Sequence, residues 1–330
     1  MAGVIAPPSA VASPTTAQTR TLAYVTNGDS DSVSVIDTSD NSVIESYGVG
    51  NDPNGVAVSP DGEVVCTADT LGNRMSWILP RTGGGNKIDV GNNPVDVAIS
   101  PDGSSAYVTN NLDNNMTVIN IDEWPFSVDA TVHVGTRPED VAISPDGSRA
   151  YVTNFGDADD DFDGNVAVID TTDNTLLTTI ALDQNQQPQG VAVSPDGSLV
   201  YVTDFGGSLS VIDASSNTVE LTLPLGVNTY PTAIAVSRDG TRAYITNFGA
   251  DSISVIDITD NPPSVITTVQ VGNEPTGVAV TPDGSHVYAV AGGSQEGTVW
   301  VIDTNASPPS VETIHGFDNP LGVAIGTSPG

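Results

Sequence analysis

The densest group of potential metal ligands lies in one short acidic stretch, from Gly156 to Asn165, which carries five aspartates. Alternate aspartates followed by a glycine match the first half of a calcium loop, where oxygens converge on a hard cation. The match then stops, because no bidentate glutamate follows and Asp170, at the twelfth position, is expected to lie along an extended strand. The stretch is predicted either to bind calcium or to remain a solvated acidic loop. The candidate ligands are Asp157, Asp159, Asp161 and Asp163.

A second set of candidate residues stands one or two positions after a proline that recurs along the chain. Its members are Asn54, Asp96, Glu139, Asp140, Gln189, Thr232, Thr276 and Leu321. They vary while the sequence around them repeats, and most are polar, which is how a repeat protein presents a ligand-binding or partner-binding face. The alternative is that they are solvated loop residues. Asp96, Glu139 and Asp140 can act as acids or bases in principle, but as exposed acids they would be ordinary.

The remaining residue types suited to catalysis are scattered. His133 and His315 occupy equivalent outer positions in two repeats, and His286 follows a turn on the opposite face, so they are not expected to converge. Glycine-rich cofactor loops, Cys and His zinc spacing and basic, aromatic nucleic-acid surfaces are missing from the sequence. We therefore expect no catalytic residues, no cofactor apart from the calcium considered above, and no nucleic-acid partner. The alternative is a hydrolase or lyase that uses the proline-following acids.

Three short patterns position these residues, and each recurs seven times. The first is Tyr-Val-Thr-Asn at residue 24, with related copies starting at Cys66, Tyr107, Tyr151, Tyr201, Tyr244 and Tyr288. The spacings run from 41 to 50 residues, which is the length of one four-stranded propeller blade. Pro-Asn-Gly-Val-Ala-Val-Ser-Pro-Asp-Gly from Pro53 and Val-Ser-Val-Ile-Asp from Val33 give the same count. The sequence predicts an all-β, seven-bladed β-propeller over residues 21–330, with four antiparallel strands per blade.

Neither end of the chain holds a whole blade. The repeats begin at a Tyr-Val-Thr-Asn strand and end at a Pro-Leu-Gly-Val-Ala-Ile strand. Residues 321–325 are therefore predicted to supply the innermost strand of the blade whose other strands lie between Leu22 and Val49. This pairing closes the ring and removes its open sheet edges. In such a ring, the proline-following residues surround the mouth of the central channel.

Together, the Tyr-Val-Thr-Asn strands at residues 24, 107 and 151 and the partner pattern from Pro53 resemble the YVTN-repeat β-propeller family. The resemblance covers nearly all of residues 21–326. It implies a seven-bladed propeller of exported or cell-surface proteins in archaea and bacteria, including surface-layer and adhesion-type modules. It implies no catalytic residue, because the repeated residues are architectural. The expected role is a non-catalytic binding or assembly scaffold, outside the cell or on its surface, whose partner is a surface protein, a glycan or further copies of the chain.

The charge of the chain limits the classes of partner that it can bind. Eight Lys and Arg oppose 41 Asp and Glu, giving a net charge of −33, which repels nucleic acid and anionic lipid. Much of the aspartate belongs to repeated turns, although adaptation to high salt fits the same composition. No apolar run is long enough to span a bilayer as a helix. Cys66 is the only cysteine, so no intramolecular disulfide can form.

Residues 1–20 differ from the repeats. They are rich in Ala, Pro, Ser and Thr, and Ala10-Val11-Ala12 resembles a signal-peptidase site, but a basic start and a full apolar core are missing. We expect either the remnant of an export signal or a flexible leader.

Overall fold

The computed structural model describes residues 19–157, 164–182, 186–272, 274–292 and 297–328. Within them, 28 strands form seven four-stranded antiparallel sheets, and the only helical segments are two short 3-10 turns, so the predicted seven-bladed propeller is confirmed. No helix in these ranges is long and apolar enough to cross a membrane. Residues 1–18, most of the expected leader, lie outside the described residues.

The strands of each blade are given from the channel outwards. Blade 1 contains β28 (Pro320–Ser328), β1 (Arg20–Asn27), β2 (Ser32–Asp37) and β3 (Ser42–Gly48). Blade 2 contains β4 (Pro53–Val58), β5 (Val65–Asp69), β6 (Arg74–Leu79) and β7 (Gly84–Asp89). Blade 3 contains β8 (Pro94–Ile99), β9 (Ser105–Asn110), β10 (Asn115–Asn120) and β11 (Ser127–His133). Blade 4 contains β12 (Pro138–Ile143), β13 (Arg149–Asn154), β14 (Asn165–Asp170) and β15 (Thr175–Ala181).

The last three blades follow the same order. Blade 5 contains β16 (Pro188–Val193), β17 (Leu199–Asp204), β18 (Ser208–Asp213) and β19 (Thr218–Pro224). Blade 6 contains β20 (Pro231–Val236), β21 (Arg242–Asn247), β22 (Ser252–Asp257) and β23 (Ser264–Gln270). Blade 7 contains β24 (Gly277–Val280), β25 (His286–Ala291), β26 (Gly297–Asp303) and β27 (Ser310–Phe317).

The ring closes as the sequence predicts. Strand β28 pairs antiparallel with β1, in register from Arg20 opposite Ser328 to Val25 opposite Val323. The first blade is therefore built from both ends of the chain, and the pairing covers what would otherwise be two open edges.

The repeated Ser-Pro-Asp-Gly segment forms the turn between the first two strands of a blade. In blade 2 the Ser59 hydroxyl donates to Asp61 Oδ1 at 2.6 Å, and the Glu63 N–H donates to the same oxygen at 3.0 Å. These two hydrogen bonds hold the pKa of Asp61 below its ordinary value. Gly62 takes the positive φ of 72° that closes the turn, a conformation that glycine adopts without steric cost. The segment is therefore a structural turn and not a binding site.

The core lies between neighbouring blades. Tyr107 of blade 3, for example, packs in one buried cluster with Val152 and Ala167 of blade 4. The second and third strands of each blade are buried on both faces, which explains their consecutive apolar residues. Packing of this kind fixes the positions of the innermost strands, which line the channel.

Candidate functional site

A cavity of about 370 Å³ lies at the centre of the ring, lined by residues from the start of all seven innermost strands. Every proline-following residue that the sequence singled out lines it: Asn54, Asp96, Glu139, Asp140, Gln189, Thr232, Thr276 and Leu321. These residues are partly buried, and all but Thr276 lie within the innermost strand of their blade. Their role in binding stays a prediction. We call the end of the channel that carries the connections between blades the channel mouth.

Threonines of the Tyr-Val-Thr-Asn strands hold the lining in place. The Thr153 hydroxyl of blade 4 donates to the Gln189 carbonyl of blade 5 at 2.6 Å and accepts from the Asp140 N–H of its own blade at 3.0 Å. Thr109 makes the same pair of contacts, donating to the Glu139 carbonyl at 2.8 Å. Each threonine is fully buried, so these hydrogen bonds tie one innermost strand to the next without competition from water. The repeated threonine therefore positions the cavity lining.

Two carboxyl groups meet on one side of the cavity. The Val141 N–H lies 2.7 Å from Asp140 Oδ1 and 3.3 Å from Asp96 Oδ2, and the two carboxyls are hydrogen-bonded to each other. Asp140 Oδ2 also accepts from the Val191 N–H of blade 5 at 2.8 Å. Asp96 and Asp140 therefore connect three adjacent blades. A hydrogen bond between two carboxyls requires that one of them carries a proton.

Burial sets the protonation of this pair. Loss of water raises the pKa of Asp96 well above its ordinary value, and the negative charge of Asp140 raises it further. Burial also raises the pKa of Asp140, but the hydrogen bond from Asp96 opposes that rise. Both carboxyls therefore keep a proton to higher pH than an exposed aspartate does.

A third carboxyl, that of Glu139, stands next to the pair. Its Oε1 accepts from Asn111 Nδ2 at 2.9 Å. Burial raises the pKa of Glu139 to about 7, and the nearby Arg137 guanidinium acts in the opposite direction. The expectation that these acids are exposed is wrong, because all three are partly buried. We refer to Asp96, Glu139 and Asp140 as the acid trio. Adjacency of blades 3 and 4 in the ring brings its members together.

The rest of the lining is uncharged. At the position of Asp96 and Asp140, the other blades carry Gly55, Gly190, Ala233, Gly277 and Gly322. A β-carbon at Gly190 would collide with the Thr232 carbonyl of the next blade, so a larger side chain does not fit there without a shift. Among the described lining residues there is no Lys, Arg, His, Ser or Cys. The cavity is therefore acidic on one side, and backbone and apolar groups form most of the other.

The sequence analysis missed a row of aromatic rings at the channel mouth. Phe155 and Phe205 lie edge to face with ring centroids 6.4 Å apart, and Phe205 stacks on Tyr230 at 4.8 Å. The Arg137 guanidinium lies over Phe155, 4.7 Å from the ring centroid. We call Phe155, Phe205 and Tyr230 the aromatic row. A signal for it was present, because a phenylalanine directly follows the Tyr-Val-Thr-Asn segment in blades 4, 5 and 6.

Backbone hydrogen bonds fix the row beside the cavity. The Phe155 N–H donates to the Arg137 carbonyl at 2.9 Å, and the Phe205 N–H donates to the Gln187 carbonyl at 2.9 Å. Arg137 and Tyr230 each directly precede the proline that leads into the cavity lining. The row therefore stands on the same connections that carry the acid trio and its neighbours.

The structure describes only part of the predicted calcium-binding stretch, and it places all three histidines away from the cavity. Of the candidate calcium ligands, Asp157 is exposed, while Asp159, Asp161 and Asp163 lie outside the described residues. Asp170 ends β14, as expected from an extended strand. No group of three His, Cys, Asp or Glu side chains suited to a metal occurs in the described part of the chain. Calcium binding by the acidic stretch stays a prediction. His133, His286 and His315 lie on β11, β25 and β27 and do not line the cavity.

Comparison with known proteins gives one family and a common fold. The model of the choice-of-anchor I domain matches residues 80–263, more than half of the chain. This span includes the acid trio and the aromatic row. No curated protein sequence matches the chain. This match shows the choice-of-anchor I domain family. It does not establish membership of the YVTN-repeat family.

Several solved structures are similar to the propeller. A proposed 6-phosphogluconolactonase from Bacteroides uniformis is 19% identical with a TM-score of 0.77, covering 93% of this chain and 99% of that one. Hydrazine synthase from Kuenenia stuttgartiensis is 20% identical with a TM-score of 0.75, covering 89% and 92%. A protein of unknown function from Desulfotomaculum acetoxidans is 18% identical with a TM-score of 0.77, covering 94% and 99%. At these identities the likeness concerns the fold alone.

Proposed function

The chain belongs to the choice-of-anchor I domain family, and from this premise we propose that it is a cell-surface propeller that binds a partner or ligand at its channel mouth without chemical turnover. The observation that supports this most is the convergence of the variable proline-following residues on one cavity. Seven structurally equivalent strands contribute different side chains there, so the ring presents one asymmetric site on a symmetric frame. The expected partner is a surface protein, a glycan or another copy of the chain.

The lining favours binding over catalysis. Its described residues include no histidine, serine or cysteine, although threonine and carboxyl groups are present. Asp140 uses both carboxyl oxygens to accept backbone N–H groups of blades 4 and 5. Such contacts hold the innermost strands in place and compete with a role in proton transfer. A rigid site with few reactive groups is suited to recognition.

A blocking substitution tests the proposal. Leu321 lines the cavity at its uncharged side, so Leu321→Trp should obstruct the mouth, whereas Asn305→Trp adds the same ring to an exposed turn on the opposite face. Labelled protein would be applied to intact cells of the producing organism and to a glycan array. We expect binding that Leu321→Trp abolishes and Asn305→Trp preserves. Equal binding by the two variants would exclude the mouth as the site.

A second candidate is a hydrolase or lyase, favoured by one observation. Glu139 has a pKa raised to about 7, which is suited to a general acid or base at neutral pH, and it stands beside a proton-sharing pair. The uncharged and acidic lining disfavours a phosphorylated substrate such as that of the Bacteroides uniformis protein, because no described lining residue is basic. Incubating the parent protein and the Glu139→Gln variant with a panel of neutral lactones tests for this activity. Turnover that this variant loses would establish the enzyme.

A further inference from the structure

We propose that the occupant of the channel mouth presents a guanidinium or ammonium group, which the aromatic row and the acid trio receive together. The inference rests on the proposed function and names the chemistry of its ligand. Two kinds of source carry such a group: an arginine or lysine side chain of a partner protein, and a free organic amine. The observations that carry the inference are the guanidinium already stacked in the row, the position of the row beside the cavity, and the sign of the lining.

The chain itself places a guanidinium in this row. Arg137 lies 4.7 Å from the centroid of Phe155, within the distance at which the face of an aromatic ring attracts a cation. Phe205 and Tyr230 extend the row over two further blades, and Tyr230 remains 38% exposed. The outer part of the row is therefore an accessible aromatic surface next to a ring that already receives a cation. A second cation can bind this surface by the same attraction to the face of an aromatic ring.

Tyr230 occupies an unfavourable backbone conformation in order to complete the row. Its φ is +46°, in the left-handed region, and five of the other blades place Asp52, Asn93, Arg137, Glu274 or Asn319 in that conformation before the proline. Asparagine and aspartate tolerate this region, and a bulky aromatic residue does not. Asparagine is therefore expected to be at least as stable as tyrosine at this position. The turn itself does not require an aromatic ring at this position; the ring stacks on Phe205 and keeps part of its surface exposed at the channel mouth, where a ligand could contact it.

The cavity beside the row is lined by three carboxyl groups. Asp96 and Asp140 meet there, Glu139 lies next to them, and the described lining holds no basic side chain. Buried charges in proteins are normally paired. Arg137 is the nearest cation, yet it is exposed and stacked on Phe155, outside the lining. A guanidinium or ammonium that entered the mouth would supply positive charge and further hydrogen bonds to the carboxyl oxygens.

The volume of the cavity and the net charge of the protein agree with a cationic ligand. A volume of about 370 Å³ is at the lower end of small-molecule sites, enough for an extended amine or one long side chain. The net charge of −33 attracts cations toward the protein and repels anionic ligands. An anionic or phosphorylated ligand would meet like charge both at a distance and in the cavity.

Calorimetry with matched probes tests the inference. Arginine amide is the cationic probe, and citrulline amide is its neutral counterpart of nearly the same shape. Agmatine represents a free amine, and acetyl-Gly-Arg-Gly-amide represents a protein-borne arginine. In mildly alkaline buffer of low salt, we expect arginine amide to bind at least tenfold more tightly than citrulline amide. Equal affinity, or binding of neither, would overturn the inference.

Three variants separate the cation site from general effects of charge. Glu139→Gln should weaken arginine amide about tenfold, whereas Asp260→Asn, which removes the same charge from an exposed turn on the opposite face, should not. Tyr230→Asn should also weaken binding while leaving the melting temperature unchanged or higher. Arg137→Gln should strengthen it several-fold, because a competing guanidinium is removed from the mouth. Weaker binding of arginine amide by Arg137→Gln would overturn the inference, because the resident guanidinium would then not compete with the probe for the row.

The outcome stays distinct from that of the proposed function. If cells or glycans bind the parent chain but not Leu321→Trp, while arginine amide fails to bind, the mouth is a binding site and the cation inference is wrong. If arginine amide binds and lactone turnover also depends on Glu139, the cation inference holds and the non-catalytic function is wrong. Preference for agmatine over the arginine peptide identifies a free amine as the source of the group.

Discussion

The carboxyls of Asp96 and Asp140 converge on a single backbone donor, the N–H of Val141, at 3.3 Å and 2.7 Å. The two residues come from neighbouring blades, and Asp140 continues to the N–H of Val191 in the next blade. At the equivalent positions the other blades carry glycine or alanine, which have no side chain that could accept these N–H groups. Placing two acids in contact inside a protein costs stability at neutral pH unless a proton or a cation separates them.

The first prediction concerns the stability of this pair. Asp96→Asn should raise the melting temperature at neutral pH by roughly 2 °C or more, because the amide keeps a hydrogen bond to Asp140 and removes the need for a shared proton. The pKa of Asp96 is raised in the folded state. The folded protein therefore holds its proton longer than the unfolded chain, and stability is lost as the pH rises above about 3.9, the ordinary pKa of aspartate.

Melting curves across the acidic to neutral range check this prediction. The advantage of Asp96→Asn over the parent should be small at acidic pH and grow toward neutral pH. Asp260→Asn serves as the control, since it makes the same change of charge at an exposed site. An advantage that is equal at every pH, or matched by the control, would show that relief of general charge repulsion is responsible.

The second prediction concerns the threonine that joins blades 4 and 5. Thr153→Val conserves shape but removes the hydroxyl that contacts the Gln189 carbonyl and the Asp140 N–H. Leaving buried polar groups without a partner should lower the free energy of unfolding by about 1–3 kcal/mol. Thr179→Val, on the exposed outer strand β15, should change it by less than about 0.5 kcal/mol. Denaturant unfolding measures both, and similar values would disprove the role of the hydroxyl.

Much of the fold could be predicted because the sequence patterns that determine it lie within single blades. Each blade repeats the same turn and strand patterns, so counting them established seven blades, and the incomplete ends predicted the pairing of β28 with β1. The lining positions followed from the same periodicity. Cys66, in place of the usual tyrosine, did not disturb the count, because it fills the same fully buried position.

The chemistry of the site could not be predicted in the same way. The pKa shifts of Asp96 and Glu139 depend on burial inside the channel, which the sequence pattern does not specify. The stacking of Phe205 on Tyr230 joins residues of neighbouring blades, which lie 25 positions apart in the sequence. Both features arise where neighbouring blades meet, whereas a repeat pattern describes only the residues within a single blade.

The third prediction concerns ring closure. Deleting residues 319–330 removes β28, exposes the edge of β1 and uncovers the apolar residues that Val323 and Ile325 pack against. We expect aggregation, or loss of the cooperative thermal transition, because an open edge strand pairs with other chains. Deleting only residues 329 and 330 retains β28 and should leave the transition unchanged. A 319–330 deletion that melts like the parent would contradict closure by this strand.

The last prediction concerns self-assembly at the outer rim. The outermost strands of blades 1, 4 and 6 expose adjacent apolar side chains at a β-bulge: Val43 and Ile44, Leu176 and Leu177, Val265 and Ile266. In dilute buffer a net charge of −33 should keep copies apart. In molar sodium chloride the Debye length falls to about 3 Å, and apolar contacts between rims should then be sufficient for association.

Light scattering across a salt titration tests this directly. The parent should be monomeric at low salt and form larger species at high salt, and the combined Leu176→Ser and Leu177→Ser variant should require more salt to associate. Val227→Ser is the control, because Val227 is 91% exposed but lies in a loop at the channel mouth and not on the rim. If this control weakens association as strongly as the rim variant, general surface hydrophobicity is responsible. If the parent stays monomeric throughout, the rim makes no contact between copies, and the channel mouth remains as the binding surface.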